Sequence, residues 1–279
     1  MTGPFFSLNG ELRPVAEATV GLDDLAFAYG FGVYETLKVR HGVLFFPEMH
    51  EGRLWHSARI LGLEHPFGSG DFQRFLAALV EANGTGDANL KALLIGGPRA
   101  SDARLAILQL APLFPDRKDY KRGATAITWE GERFFPQAKS LNMLVSYLAY
   151  RQAQAKGAYD ALLVNRRGEI TEGTRTNFFI TDGTALATAP GAEVLQGVTQ
   201  LTVRQVIRDL GIGLEERPLP LAEIARWGGA FLTSTSTKIL PLRQIGDRPL
   251  PMCPLVDRLR VAYDGWLDAY ARGRGVSHP

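Results

Sequence analysis

Short runs of alternating apolar and polar residues, broken by glycine, open the chain. Residues 5–14, "FFSLNGELRP", predict two strands joined at Asn9-Gly10, a pair that tolerates the positive φ of a tight hairpin. Residues 32–46, "GVYETLKVRHGVLFF", predict a second hairpin, rich in Val, Tyr, Thr and Phe, that turns at His41-Gly42. The period then changes. In residues 46–63, "FPEMHEGRLWHSARILGL", the apolar Met49, Leu54, Trp55, Ala58 and Leu61 recur at helical spacing. Residues 70–84, "GDFQRFLAALVEANG", predict a second amphipathic helix stopped at Gly84. "LKALLIGG" (90–97) and "RLAILQLAP" (104–112) are apolar strands joined by a short loop.

The polar stretch 112–123, "PLFPDRKDYKRG", carries two prolines and breaks this pattern. It is expected to hold an interdomain linker at 116–122, between a small N-terminal domain (1–115) and a larger one (123–279). The second half continues with strand 124–130, helix 140–157, strand 160–165, turn 166–169 and strand 176–181. A helix over 197–212 stops at Gly211, a strand from 228 runs into a Ser/Thr-rich turn, and a last helix covers about 254–271. Strands outnumber helices and hairpins dominate, which predicts two α+β domains rather than a doubly wound parallel sheet.

Composition excludes several function classes. Hydrophobic residues make up 46% and charged residues 22%, enough for a substantial core. A net charge of +2 without any Lys/Arg block gives no support to nucleic-acid binding. No apolar run reaches about 18 residues, so no membrane span is expected. The opening residues lack the basic and apolar regions of a signal peptide. Cys253 is the only cysteine, so no intrachain disulfide can form, which fits a cytoplasmic protein.

Several residues could carry chemistry. Lys139 stands just before the predicted helix 140–157, where a cation meets the positive end of the helix dipole; an amine so placed is a candidate nucleophile toward an aldehyde. Glu172, at the end of a strand, could hold a buried cation. Arg53 offers a guanidinium fork that suits a phosphate dianion. A helix starting near Thr199 directs free N–H groups and a hydroxyl at an anion. Thr233 to Thr237 are five consecutive hydroxyl residues, more than a plain turn needs. "GFGVYE" lacks the third glycine of a dinucleotide loop and sits inside a hairpin, and the five histidines do not form a metal pattern.

The order of these pieces is distinctive. Tyr-Gly-Phe-Gly-Val-Tyr-Glu-Thr (29–36) is followed by His-x-x-Arg-Leu (50–54) and Lys-Ser-Leu-Asn (139–142). Thr-Glu-Gly-Thr-x-x-Asn (171–177), Gly-Val-Thr (197–199) and Thr-Ser-Thr (233–235) come next. Over residues 20–245 the chain resembles the fold-type-IV pyridoxal-phosphate enzymes, or class IV aminotransferases, which include branched-chain and D-amino-acid aminotransferases and aminodeoxychorismate lyases. The resemblance implies a small α/β domain and a larger β-barrel-like α+β domain. It implies pyridoxal 5'-phosphate as cofactor and Lys139 as the lysine that forms the Schiff base and moves the Cα proton. Glu172 matches the partner of the pyridine nitrogen, and Arg53, Val198, Thr199, Ser234 and Thr235 match phosphate ligands. Tyr29, Tyr34 and Thr36 match substrate-pocket positions. The family completes its site between domains in a homodimer, so a dimer is expected. The implied reaction moves an amino group between an amino acid, D- or branched-chain L-, and a 2-oxo acid in a ping-pong cycle. The alternative is a lyase that releases pyruvate and p-aminobenzoate from 4-amino-4-deoxychorismate; Thr36 motivates it. Met143 stands where branched-chain enzymes carry a cofactor-contacting tyrosine, and Gly96 where D-amino-acid enzymes carry an arginine. Lys91, Arg99 and Arg104 remain as candidate binders of the substrate carboxylate.

Overall fold

The computed structural model describes residues 1–84 and 86–274. They fall into two compact units. The first holds Met1–Leu113, Ala138–Met143 and the described chain from Ala271; the second holds Phe114–Gln137 and Leu144–Tyr270.

In the first unit, strands β1 (Phe5–Leu8), β2 (Glu11–Pro14), β3 (Gly32–Arg40), β4 (Val43–Leu44), β5 (Ala88–Ile95) and β6 (Arg104–Leu110) form one sheet. Its order is β2-β1-β6-β5-β3-β4, and its pairs are antiparallel. Both predicted hairpins form. Asn9 and Gly10 (φ 53° and 90°), and His41 and Gly42 (φ 48° and 77°), take the left-handed conformations that two-residue turns require. A short helix α1 (Leu25–Ala28), capped by Asp24, precedes β3.

Helices α2 (Pro47–Ile60) and α3 (Asp71–Asn83) supply Leu54, Phe72, Leu76 and Leu79 to a core shared with Val33, Leu37 and Val39 of β3 and Leu90 and Leu94 of β5. Full burial of each such side chain is worth about 1.5–3 kcal/mol. The period of two on β3 turns Tyr34 and Thr36 to the sheet's other face.

The second unit contains β7 (Ala124–Glu130), β8 (Asp160–Val164), β9 (Ile170–Gly173), β10 (Asn177–Thr181), β11 (Leu186–Thr188), β12 (Leu214–Glu216), β13 (Gly229–Ser234), β14 (Lys238–Ile245) and β15 (Arg248–Pro249). The path β10-β13-β14-β7-β8-β9 closes through pairing of β9 with β10, so six strands form a barrel. Its interior is filled by Leu162, Ile170, Phe178, Leu232, Leu240 and Leu242. Strands β11, β12 and β15 extend it. The remaining described α-helices are α4 (Arg117–Arg122), α5 (Leu144–Ala155), α6 (Val198–Asp209) and α7 (Pro254–Gly273). Among the described residues no helix is long and apolar enough to cross a membrane.

Two sequence expectations need correction. Residues 116–122 are not a plain linker. Asp116 accepts the Lys118 N–H at 3.1 Å, Lys121 and Arg122 suit the negative end of the dipole, and Gly123 (φ 78°) ends the turn, so α4 forms within the second unit. The helix predicted from Ser140 begins at Leu144 instead. Ser140 forms a bridge with Val33, the Tyr34 N–H donates to the Lys139 carbonyl at 2.9 Å, and Leu141 N–H donates to the Gly32 carbonyl at 2.8 Å. Residues 139–141 therefore run extended beside β3, in the first unit. Lys139 is not at a helix N-terminus, and the dipole argument for it does not apply.

Candidate active site

Each unit carries its own group of polar side chains. In the first, α2 presents His50, Arg53 and Ser57 along one face, spaced by one and two turns. Facing them is Glu35, a charged residue on the core side of β3 with no solvent exposure. Its Oε1 accepts Arg53 Nε at 2.7 Å, and its Oε2 accepts Arg53 Nη2 at 2.6 Å. His50 Nδ1 lies 2.7 Å from Oε2; because a carboxylate only accepts, Nδ1 carries the proton. Burial alone would raise the Glu35 carboxyl, but the charges of Arg53 and His50 overcome it and hold the group down at about 2. Burial pushes His50 below the ordinary histidine value, Glu35 opposes this, and Arg53 and Lys139 reinforce it. Burial works against the Arg53 charge, yet Glu35 raises its pKa above the usual arginine value.

Lys139 belongs to the same group. Its N–H donates to the Ser57 hydroxyl at 3.1 Å, while its carbonyl accepts from β3. Its Nζ lies 4.4 Å from the centre of the Tyr34 ring, within cation–π range. The Tyr34 hydroxyl points at Met143 Sδ, 3.5 Å away. Lys91 Nζ reaches the same ring at 6.0 Å, and Thr36 is the cross-strand partner of Lys91. Tyr34, Thr36, Lys91 and Lys139 are thus brought together.

Three other candidates stand differently. Tyr29 closes α1 and is 81% exposed. Arg99 commits Nε and Nη2 to Asp102, each at 3.0 Å. Arg104 pairs with Asp24, the cap of α1. At Gly96 a Cβ would lie 2.4 Å from the Phe31 ring, so no side chain fits there while Phe31 keeps its place.

In the second unit Glu172 is the penultimate residue of β9 and is 5% exposed. Its Oε1 accepts Arg133 Nη1 at 3.2 Å, and its Oε2 accepts the Leu195 N–H at 3.3 Å. Asn177 is its cross-strand partner and donates from Nδ2 to the Leu195 carbonyl at 2.7 Å. Two residues on, Gly197 caps α6; a Cβ there would lie 2.1 Å from Asn177 Oδ1. Val198 and Thr199 are the first residues of α6, so no carbonyl one turn earlier receives their N–H groups. The Thr202 hydroxyl meets the buried Tyr263 hydroxyl at 2.9 Å, which fastens this first turn. Burial raises the Tyr263 phenol, and the Thr202 and Thr199 hydroxyls partly offset that.

Ser234 to Lys238 form the β13–β14 turn. Ser234 Oγ accepts the Thr237 N–H at 3.2 Å and lies 3.0 Å from Thr237 Oγ1. Two of the five hydroxyls therefore build the turn itself. The Thr235 side chain is half-buried. Gln200 Nε2 and Thr233 Oγ1 are buried without a hydrogen-bond partner among the described residues. These orphan polar atoms and the α6 amides offer donors to an anionic group, and the Glu172 carboxylate offers an acceptor to a protonated nitrogen, a set that fits an anionic, nitrogen-containing group.

Sequence reading assigns no role to Glu35, His50, Ser57, Arg133 or Asn177. Glu35 carries a signal nonetheless. It interrupts the apolar positions Val33, Leu37 and Val39 of one strand face, and a charge there needs a buried partner.

A family model described as amino-transferase class IV matches residues 32–245. The D-alanine aminotransferase of Bacillus licheniformis is 30% identical over 251 residues, covering 87% of this chain and 88% of that protein. The bifunctional aminodeoxychorismate lyase / D-amino acid transaminase of Mycobacterium tuberculosis is 30% identical over 277 residues, covering 90% and 94%. Among solved structures, the branched-chain aminotransferase of the thermophilic archaeon Thermoproteus uzoniensis with norvaline superposes with a TM-score of 0.83. It is 27% identical and covers 94% of this chain and 94% of that one.

Proposed function

We propose, for a chain that belongs to the amino-transferase class IV family, that Lys139 is the amine that captures the cofactor and moves the substrate proton in a pyridoxal-phosphate-dependent aminotransferase. The observation that carries this reading is the double hold on the Lys139 backbone, by Ser57 and by β3, which leaves its Nζ presented over Tyr34. A general base works only when it is held within reach of its proton.

When bound, pyridoxal phosphate supplies an electrophilic aldehyde and a ring that takes up the electron pair left as the Cα proton departs. Lys139 Nζ holds and returns that proton. Glu172, a buried carboxylate, keeps the ring nitrogen protonated. Arg53, Val198, Thr199, Ser234 and Thr235 bind the phosphate. Glu35 fixes the Arg53 guanidinium by two bonds, so its orientation is set before any ligand arrives. The substrate pair is an amino acid, of the D- or branched-chain L-class, and a 2-oxo acid. Tyr34, Thr36 and Lys91 line its pocket, and the working form is a homodimer.

An amino donor without acceptor should bleach the absorbance near ~410 nm and raise a band near ~330 nm, values set by the cofactor's own chemistry. No such change with any D- or L-amino acid would remove the transferase reading. Lys139→Ala should abolish the change, and a Lys139→Ala protein that still attached the cofactor covalently would refute the role of the lysine.

Thr36, facing Lys91 across the strands beside Tyr34, favours a second reading as an aminodeoxychorismate lyase, and one of the 30% identical relatives bears that name together with a transaminase. Formation of p-aminobenzoate from aminodeoxychorismate tests it; absence of product alongside a working half-reaction removes it.

A further inference from the structure

Strand β8 begins with Asp160, a carboxylate with no solvent exposure that the proposed chemistry does not use. All five residues of β8 are buried. A charge in such a strand must find its partners inside the protein. The partners of Asp160 are hydroxyls and amides. Oδ1 accepts the Ala161 N–H at 2.9 Å, the Thr174 N–H at 3.3 Å and the Thr174 hydroxyl. Oδ2 accepts the Thr176 hydroxyl at 2.8 Å. Burial raises its pKa, and the Thr174 and Thr176 hydroxyls, followed by the charge of Arg175, pull the other way.

Three of these four bonds go to one turn. That turn runs from Gly173 to Thr176 and is closed by the Gly173 N–H donating to the Thr176 carbonyl at 2.8 Å. It packs so closely on Asp160 that a Cβ at Gly173 would lie 2.1 Å from Thr176 Oγ1 and 2.6 Å from Asp160 Oδ2. Glu172 stands immediately before the turn and Asn177 immediately after it, and the two are paired across the strands. Both then bond the Leu195 backbone, the Glu172 carboxylate at the N–H and the Asn177 amide at the carbonyl. Leu195 in turn leads to Gly197 and the first turn of α6.

We infer that Asp160 is a positioning residue that clamps the 173–176 turn through Thr174 and Thr176, and so sets where the Glu172 carboxylate and the start of α6 point. This rests on the reading of Glu172 as the partner of the cofactor's ring nitrogen. The clamp works by shape. An asparagine at 160 can accept the two amides and the Thr174 hydroxyl at Oδ1 and donate from Nδ2 to Thr176 Oγ1, so it keeps every contact, the one to Thr176 with donor and acceptor exchanged. An alanine preserves none. A displacement of the reacting groups on the order of an ångström costs up to about a hundredfold in rate.

The test uses the full-length enzyme with Asp160→Asn, Asp160→Ala, Thr176→Val and Glu172→Gln. It reads pyridoxal phosphate dissociation by absorbance titration, kcat against KM in the half-reaction, and the absorption of the bound cofactor. Asp160→Ala should weaken cofactor retention and lower kcat by about tenfold or more, with a smaller change in KM. It should also shift the bound-cofactor spectrum in the same direction as Glu172→Gln. Asp160→Asn should restore retention, kcat and spectrum to near wild type.

If Asp160→Ala does not fold, Thr176→Val carries the test. It removes the Oδ2 bond alone and should shift the spectrum in that same direction; a wild-type spectrum would overturn the inference. Asp160→Ala with wild-type retention and spectrum and only a lower Tm would overturn it, and so would an Asp160→Asn as impaired as the alanine variant. If Glu172→Gln itself left retention and spectrum unchanged, the reading of Glu172 would fall and this inference with it. A changed Glu172→Gln beside an unchanged Asp160→Ala removes the clamp alone.

Discussion

At the scale of single residues, the Glu35–Arg53–His50 cluster makes the sharpest prediction. Glu35 neutralises a mostly buried guanidinium, 11% exposed, and accepts a buried imidazole N–H. Glu35→Gln leaves Arg53 without its counter-charge, and breaking a buried pair in this way costs about 3–5 kcal/mol. Urea unfolding should show it. The same carboxylate is held down at about 2, against an ordinary glutamate value of 4.5. A group depressed on folding stabilises fully above its unfolded value, and that contribution is lost as pH falls through the folded one. The wild type should therefore lose stability between pH 4.5 and about 2, and Glu35→Gln should show a flatter profile over that window. Parallel profiles for the two proteins would remove Glu35 as the cause. Arg53 and Glu172 are legible as residue types in their motifs. Their pairing with Glu35 and Arg133 is not, because these lie 18 and 39 positions away and no local pattern links the two ends.

At the scale of elements, the start of α6 is set by contact with β10. Gly197 has φ −67°, which any residue adopts, so its lack of a side chain answers to space and not to backbone freedom. Asn177 fills that space with its amide anchored on the Leu195 carbonyl. Gly197→Ala should cost about 1–3 kcal/mol by overpacking and weaken cofactor binding. Thermal unfolding and cofactor titration measure the two effects, and adding Asn177→Ala should recover much of the stability. An unperturbed Gly197→Ala protein would show that α6 is placed by other contacts. Most elements are legible, because turns such as Asn9-Gly10 and periods of two or 3.6 are local properties. Helix α5 is shorter at its start than its sequence predicts. Its helical composition continues back to Ser140, but β3 captures residues 139–141 as extended chain, and a strand partner outweighs propensity.

At the scale of the whole molecule, a homodimer is expected. Leu144, Tyr147 and Leu148 on α5 are 65%, 57% and 41% exposed, and Phe134 is 83% exposed, a set of large apolar groups that suits a partner surface. Sedimentation should return a dimer, and Leu148→Glu should shift it toward monomer; a monomeric, fully active wild type would refute the assembly. The sequence by itself determined both N-terminal hairpins and the amphipathic helices α2, α3 and α6, because periodicity and turn chemistry are carried by neighbouring residues. Tertiary structure alone decided which unit holds Lys139, that the barrel closes through β9 and β10, and that Glu35 meets Arg53, Ser57 meets the Lys139 N–H and Asp160 meets Thr174 and Thr176. Those are contacts between residues far apart in the chain, and only the packing that excludes water around them decides which pairs form.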